Sequence, residues 1–397
     1  MVDFDLAPEE RRIVQELGAF VEAEVLPLQE RHRHLLDHES RGILEDGTLH
    51  PDLVRAAADL RRRSAKAGFY AMHLPEEAGG RGVSAPGMVR AFQEVYRHGM
   101  GFTLCVLASI EGPSRMLLAL DEAQRRRWLA PLVRGEKTTC FALTEPQAGS
   151  DVRNVQATAV RDGDEYVLNG TKVFITNGPY ADFAQVFART DPEADGFGGL
   201  SAFIVERGTP GFVVGPAMET IANNGLPCQL RFEDCRVPAA NLIGGEGEGF
   251  WHALQNINDT RIQIGGMALG LARFCLDQTV TYLNERTAFG KPIAKYQGVS
   301  FPMADSATEL QAAEALALYA AWRIQQGEDA MRETSMVKLY ATEMLWRVAD
   351  RCIQAHGGAG TLRERGLERV LRWARIMRVF EGTSEIQRVT IAKTMGL

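Results

Sequence analysis

The chain has 397 residues, 45% of them apolar and 24% charged, an ordinary globular composition with room for two or three domains. Its formal net charge of −7 argues against a general binder of nucleic acid or anionic membrane, which presents a basic face. No apolar run reaches the roughly 18–20 residues of a membrane span, and none of the six cysteines forms a Cys-x-x-Cys pair or sits at metal-ligand spacing with a histidine.

The cysteines therefore read as reduced, mostly buried thiols of a cytoplasmic protein. The acidic start, Met1-Val-Asp-Phe-Asp5, lacks the apolar core of a secretory leader. His32, His34, His38 and His50 crowd a polar stretch without a cysteine, so no metal site is expected there. The runs Arg61–Arg63 and Arg125–Arg127 read as solvated helix faces.

Residues 1–138 read as a helical domain. Pro8, Glu9 and Glu10 open the first helix, and Ile13, Leu17, Phe20, Val21 and Val25 form its apolar stripe. Pro27 is expected to mark its end. Residues 32–50 read as a polar loop or insertion, Leu53–Ala67 as a second helix, and Leu74–Gly82 as a glycine-rich turn. No Gly-Lys-Ser/Thr follows that turn, so it is not a phosphate loop. Helical patterns resume over Ala85–Arg134, with breaks near Gly99–Gly101 and Gly112-Pro113.

The period then changes. Residues 139–243 read as an antiparallel β domain, a sandwich or a barrel. Asn169-Gly170 between Tyr166–Leu168 and Thr171–Ile175 predicts a hairpin turn. Further strands are expected at 183–188, 200–205, 212–214 and 229–232. Residues 244–397 are helical again, with long segments at 250–284, 299–326 and 331–355 and a stop at Gly357-Gly358. Long antiparallel helices of this kind predict a four-helix bundle. The fold class is thus α+β.

Several stretches carry polar chemistry. Phe141-Ala-Leu-Thr-Glu-Pro-Gln-Ala-Gly-Ser-Asp151 sets the hydroxyls of Thr144 and Ser150 on a loop of small residues. Phe174-Ile-Thr-Asn-Gly178 places Phe174 and Thr176 on one side of a strand. Arg286-Thr-Ala-Phe-Gly-Lys-Pro-Ile293, followed by Gln297, offers a cation and an aromatic beside glycine, suited to a pyrophosphate and an adenine. Gln354-Ala-His-Gly-Gly-Ala-Gly360 is a site of close backbone approach. Each alone reads as well as a turn or a helix cap.

The last stretch is Arg378-Val-Phe-Glu-Gly-Thr-Ser-Glu-Ile-Gln-Arg388. Phe380 gives Glu381 an apolar wall, Gly382 frees the backbone, and Thr383 is a helix N-cap. Alone it reads either as a general base with raised proton affinity or as a capped helix whose Glu faces water.

Taken together and in order, these motifs resemble those of the acyl-CoA dehydrogenase family over nearly the whole chain. The 142–151 motif and the Glu-Gly-Thr motif are the most specific marks. The resemblance implies FAD lying between the β domain and the bundle, part of its site coming from a neighbouring subunit. Thr144, Ser150, Phe174 and Thr176 would line the flavin or its ribityl chain. Thr383 and Glu385 would contact the diphosphate or adenosine side. Arg286, Phe289, Gln297, Gln354 and Gly358 would serve the FAD of the partner subunit in a homotetramer, a dimer of dimers. Glu381 matches the catalytic base, and Ser150, Arg261 and Gly382 would meet the acyl-CoA. Thr260 stands where some members carry the base instead, and it cannot serve. Trp373, Asn154 and Thr361 depart from the family pattern, with consequences expected in packing.

The implied reaction removes hydrogen from the α and β carbons of an acyl-CoA thioester. It yields a trans-2-enoyl-CoA and passes electrons to an electron-transfer flavoprotein. No side chain accepts hydride, which is why a flavin is required, and the chain has no Gly-x-Gly-x-x-Gly nicotinamide motif. The family stabilises the enolate oxygen with a flavin ribityl hydroxyl and the backbone N–H of the base. The rival readings are an acyl-CoA oxidase using oxygen directly, a flavin-bearing DNA-binding relative, and a cofactor-free helical scaffold. The oxidase is expected to carry a further C-terminal domain and the DNA-binding relative a basic C-terminal extension.

Overall fold

The computed structural model describes residues 4–37, 39–194, 198–222 and 225–397. His38, one of the clustered histidines, lies outside them. The chain forms two compact units, Met1–His38 with Val83–Leu104 and Asn258–Leu397, and Glu39–Gly82 with Cys105–Ile257.

The helical unit begins with Pro8–Phe20. Proline in its first turn and Glu9 and Glu10 beside the free N–H groups favour the start, and Ile13, Leu17, Val21 and Val25 are buried at helical spacing. Pro27 does not end the helix. A π-helical turn over Val21–Val25 precedes it, with Leu26 N–H donating to Val21 C=O, and helix continues over Leu26–Arg31. The widened turn rearranges the hydrogen-bond ladder where proline has no donor to give.

Long helices follow at Gly249–Glu285, whose first turns belong to the other unit, Gln297–Gln325 and Met331–His356. Shorter ones span Leu367–Met377 and Ser384–Thr394. Val337, Ala341, Met344, Val348 and Cys352 bury one stripe of the 331–356 helix, while Tyr340 is only half-buried. The 249–285 helix crosses Ala85–Tyr96 closely. A Cβ at Gly266 would stand 2.8 Å from Val89 O, and one at Gly270 2.6 Å from Gln93 O.

The polar 32–50 stretch has a short helical turn, Arg33–Leu36, in the first unit, and its part in the second unit has another, Glu39–Gly42, and an Ile43–Leu49 bridge. His50 ends it as the N-cap of Pro51–Lys66, its Nδ1 accepting from Asp52 N–H at 3.2 Å. The strands are β1 Thr139–Ala142, β2 Thr158–Asp162, β3 Glu165–Thr176, β4 Phe183–Arg189, β5 Leu200–Glu206, β6 Phe212–Ala217 and β7 Pro227–Pro238. Their order is β1-β4-β2-β3-β7-β6, with β5 also on β4. Pairing is antiparallel except where β1 lies parallel to β4 and where Thr158 of β2 meets Arg189 of β4. β1 and β4 are separated in sequence by the β2–β3 hairpin, a connection long enough for parallel pairing.

The expected hairpin turn at Asn169-Gly170 is displaced. β3 runs unbroken from Glu165 to Thr176, and the turn falls at Gly163-Asp164, with Gly163 at φ 63°. Gly170 instead marks a bulge against β7, where a Cβ would come within 2.5 Å of that of Ala157. One core lies inside the curled sheet, around Tyr166, Leu168, Phe203, Val205 and Leu230. A second lies between β4, β5 and helical segments carrying Leu117, Trp128 and Leu129. β4 is buried on both faces for that reason.

Candidate active site

Glu381 occupies the turn between the 367–377 and 384–394 helices. It has φ 54° and the following Gly382 φ 82°, so successive residues take the left-handed conformation. That conformation costs a non-glycine residue free energy, and it persists only where surrounding groups hold it. Here they do. Gln387 Nε2 donates to Glu381 O at 3.1 Å and to Gly382 O at 2.9 Å, and Lys338 Nζ donates to Gly382 O at 2.6 Å. Thr383 caps the next helix by accepting from Ile386 N–H, as its position predicts.

The same turn is strapped to the 331–356 helix through Glu343, which pairs with Arg378 at 2.9 Å and accepts from Ser384 Oγ at 2.7 Å. Phe380 packs against Trp373, ring centroids 6.0 Å apart, and Trp373 Nε1 donates to Met267 Sδ at 3.3 Å. The tryptophan that departs from the family pattern thus thickens the apolar wall beside Glu381.

Burial raises the proton affinity of Glu381, opposed by the charges of Lys338 and Arg261. Arg261 is buried, and its Nη1 donates to Ser335 Oγ at 3.1 Å. Lys338 is fully buried, and burial pulls its ammonium down to about 8 against the attraction of Glu381. A half-buried carboxylate is thereby set near two buried cations on a turn held by hydrogen bonds, the setting in which it can abstract a proton from carbon. Glu385, in the first turn of the following helix, is exposed, and hydrogen bonding with its own N–H and with Thr383 lowers its pKa.

In the other unit the loop after β1 folds beside the end of β3. Val173 N–H donates to Thr144 O at 2.9 Å, so the structure brings Thr144 beside the strand residues that lead into Phe174 and Thr176. Phe174 sits in a second bulge of β3 at φ 57°, with 63% of its surface exposed. Thr176 is half-buried and Ser150 exposed. An ion pair missing from the sequence reading pins this loop. Lys172 Nζ, fully buried, donates to Glu145 Oε1 at 2.7 Å and to Leu143 O at 3.1 Å. Glu145 also accepts from Gln147 Nε2 and from the N–H groups of Gln156 and Ala157. The available signal was a lysine within the apolar alternation of a strand, facing a motif that contains a glutamate. Asn154 Nδ2 donates to Gln147 O at 3.2 Å and steadies the same loop.

The Arg286–Ile293 stretch is a small hairpin, Thr287–Ala288 paired with Lys291–Pro292. Its turn residues are Phe289 at φ 52° and Gly290 at φ 82°. Tyr296 Oη supports it by donating to Ala288 O at 3.0 Å. Phe289 is 95% exposed, and Arg286 and Gln297 are exposed as well. The Gln354–Gly360 turn lies against Tyr282, one helical turn before Arg286, and His356 stacks on that ring at 4.4 Å. Gln354 is exposed, and Cβ atoms built at Gly357 and Gly358 would meet nothing within 4 Å. Thr361 Oγ1 donates to Gly358 O at 2.8 Å.

These residues fit a flavin dinucleotide. Phe174 offers an exposed aromatic face among hydroxyls in one unit. Arg286, Phe289 and the open Gly357-Gly358 backbone offer a cation, a stacking ring and room for close approach in the other.

Three family models match the chain, the N-terminal, middle and C-terminal domains of acyl-CoA dehydrogenase, over residues 7–136, 140–235 and 247–396. The chain is 38% identical over 395 residues to the acryloyl-CoA reductase (NADH) of Anaerotignum propionicum, covering 99% of this chain and 95% of that one. A chain solved in work on the electron transferring flavoprotein of Acidaminococcus fermentans superimposes with a TM-score of 0.87 at 33% identity, covering 99% of both. The glutaryl-CoA dehydrogenase of Mycobacterium smegmatis in complex with FADH2 gives 0.85 at 28% identity, covering 98% of this chain and 95% of that one.

Proposed function

Because the chain belongs to the acyl-CoA dehydrogenase family, whose members are flavoproteins, we propose that it binds FAD and dehydrogenates an acyl-CoA between its α and β carbons, giving a trans-2-enoyl-CoA. The observation that carries this reading is Glu381, half-buried on a left-handed turn under the charges of the buried Lys338 and Arg261. Glu381 takes the α-proton. Its own N–H, fixed in direction by the turn, is the chain's donor to the thioester oxygen on which negative charge develops. FAD, when bound, would supply the acceptor for the hydride lost from the β-carbon, which no side chain can provide.

Thr144, Ser150, Phe174 and Thr176 would hold the flavin and its ribityl chain, with Thr383 and Glu385 at the diphosphate or adenosine side. Arg286, Phe289, Gln297, Gln354 and Gly358 would hold the FAD of a partner subunit, so the active form is a homotetramer built as a dimer of dimers. Ser150, Arg261 and Gly382 would border the acyl-CoA, Arg261 from behind the base. The electron acceptor would be an electron-transfer flavoprotein and the compartment the cytoplasm. Among the described residues no helix is long and apolar enough to cross a membrane.

The name of the acryloyl-CoA reductase relative supports a second reading, the same chemistry run toward saturation. Glu381 would then deliver the proton to the α-carbon, and the electron partner would set the direction.

The test uses purified protein reconstituted with FAD. It should show the flavin absorption bands, and anaerobic mixing with a panel of acyl-CoAs from short to long should bleach them with at least one member. Reoxidation by an electron-transfer flavoprotein, and only slowly by oxygen, separates the dehydrogenase from an oxidase. Protein that binds no flavin, or flavin that no acyl-CoA bleaches and no enoyl-CoA reoxidises, overturns the proposal.

A further inference from the structure

A fully buried lysine is costly unless its charge is matched, because desolvation penalises the ammonium strongly. Lys338 lies two turns into the 331–356 helix with none of its surface exposed, and its Nζ donates to the carbonyl of Gly382, 44 residues on. That carbonyl follows the base directly. Gln387, also fully buried, donates to the same oxygen and to the carbonyl of Glu381.

Among the described residues, charged groups reach the base from the helices and the turn packed around it. The 331–356 helix brings Lys338 and, further along, Glu343. The 249–285 helix brings Arg261. The turn and the helix after it bring Arg378 and Glu385. Arg378 is paired with Glu343, and Glu385 is exposed. Arg261 is anchored on Ser335, one helical turn before Lys338. Lys338 and Arg261 are therefore the cations whose charge falls on Glu381.

We infer that Lys338 is a positioning residue for the reaction, fixing with Gln387 the left-handed Glu381-Gly382 backbone and standing as the buried counter-charge that keeps the Glu381 carboxylate ionised and ready to accept a proton. The roles separate cleanly. Gln387 is neutral and contributes only the grip on the backbone. Lys338 contributes both grip and charge. The direction of the electrostatic effect agrees with the geometry, since the attraction of Lys338 for the Glu381 carboxylate is stronger than that of Arg261. The inference rests on Glu381 being the base.

The experiment compares the flavin-loaded parent with Lys338→Met, Lys338→Gln and Gln387→Met. For each, flavin bleaching by the best acyl-CoA is followed across pH. The titration of Glu381 itself is read from infrared carboxylate difference spectra, with the Glu381→Gln variant as the blank. Loss of the cation should move the acid limb of the bleaching rate, and the Glu381 carboxylate titration, upward by about one pH unit, a roughly tenfold lower rate at the acid end. Lys338→Gln should show the same shift, since it keeps a donor and removes the charge. Gln387→Met should slow bleaching at all pH values and leave the titration in place. Limb and titration coinciding with the parent in folded Lys338→Met and Lys338→Gln would overturn the inference. The infrared titration does not depend on catalysis. A Glu381→Gln variant that bleaches at the parent rate rejects the base assignment, while an unmoved carboxylate titration rejects the role of Lys338.

Discussion

Glu381-Gly382 and Phe289-Gly290 share nearly the same backbone. Each is a non-glycine residue at φ 54° or 52° followed by a glycine at φ 82°. Their surroundings are opposite. The first pair is gripped by Lys338 and Gln387 and walled by Phe380 and Trp373. The second stands at a hairpin tip with its phenyl ring 95% exposed, supported through backbone carbonyls by Tyr296. At Glu381 the strain is held by groups of the same chain. At Phe289 the chain holds the backbone and leaves the side chain exposed, with only the edge of Tyr296 beside it at 6.3 Å. One turn presents chemistry, and the other presents a surface.

The largest expected effect breaks the first turn's chemistry and leaves its geometry intact. Glu381→Gln keeps the size and hydrogen bonding of the side chain and removes the proton acceptor. Flavin and acyl-CoA binding should persist, while stopped-flow bleaching falls by about 10²–10⁴-fold. A rate near the parent's would place the base elsewhere.

The next sharpens the comparison through the paired glycines. An alanine Cβ at Gly382 would lie 2.7 Å from Gln387 Nε2, whereas at Gly290 it would meet nothing within 4 Å. Both changes force a left-handed alanine, at about 1–2 kcal/mol. Gly382→Ala adds overpacking, for a total of about 2–5 kcal/mol. Chemical denaturation of the two variants should therefore separate them, with Gly290→Ala the milder. Equal losses would mean that Gln387 yields freely and does not hold the turn.

Legibility in the sequence follows the same division between local and distant causes. Long helices with period 3.6 and the buried strands Phe183–Arg189 and Leu200–Glu206 announce themselves by local pattern. Thr383 as an N-cap and Gly357 as a helix stop are local as well. The errors arise where distant groups decide. Asn169-Gly170 carries a strong turn signal, but the approach of Ala157 uses the glycine for a bulge. Pro27 reads as a stop until a π turn accommodates it. The parallel pairing of β1 with β4 depends on what the intervening hairpin does, which no strand's own pattern reveals. At the site, Glu381 is visible through its neighbours in sequence. Lys338 and Lys172 are not, because a lysine reads as surface until its partners, Glu381 with the carbonyl of Gly382 for one and Glu145 for the other, are brought to it by the fold.

The smallest expected effect on the subunit itself is at Phe289, and it tests whether that turn presents a surface. A side chain 95% exposed in the subunit contributes little to its folding, so Phe289→Ala should change stability by no more than about 0.5 kcal/mol. Its hairpin should survive, since Tyr296 Oη holds it through the carbonyls of Ala288 and Phe289, and only an edge-on ring contact at 6.3 Å is lost with the phenyl group. If the ring instead packs against a neighbour and its FAD, the change appears only in assembly. Sedimentation of the variant should show dissociation at concentrations where the parent remains assembled, together with loss of flavin on gel filtration. Glu381→Gln, altered inside the subunit, should show neither. A Phe289→Ala protein that stays assembled and retains its flavin would mean that the exposed ring serves no subunit contact, and the division between the two turns would then lie in exposure alone.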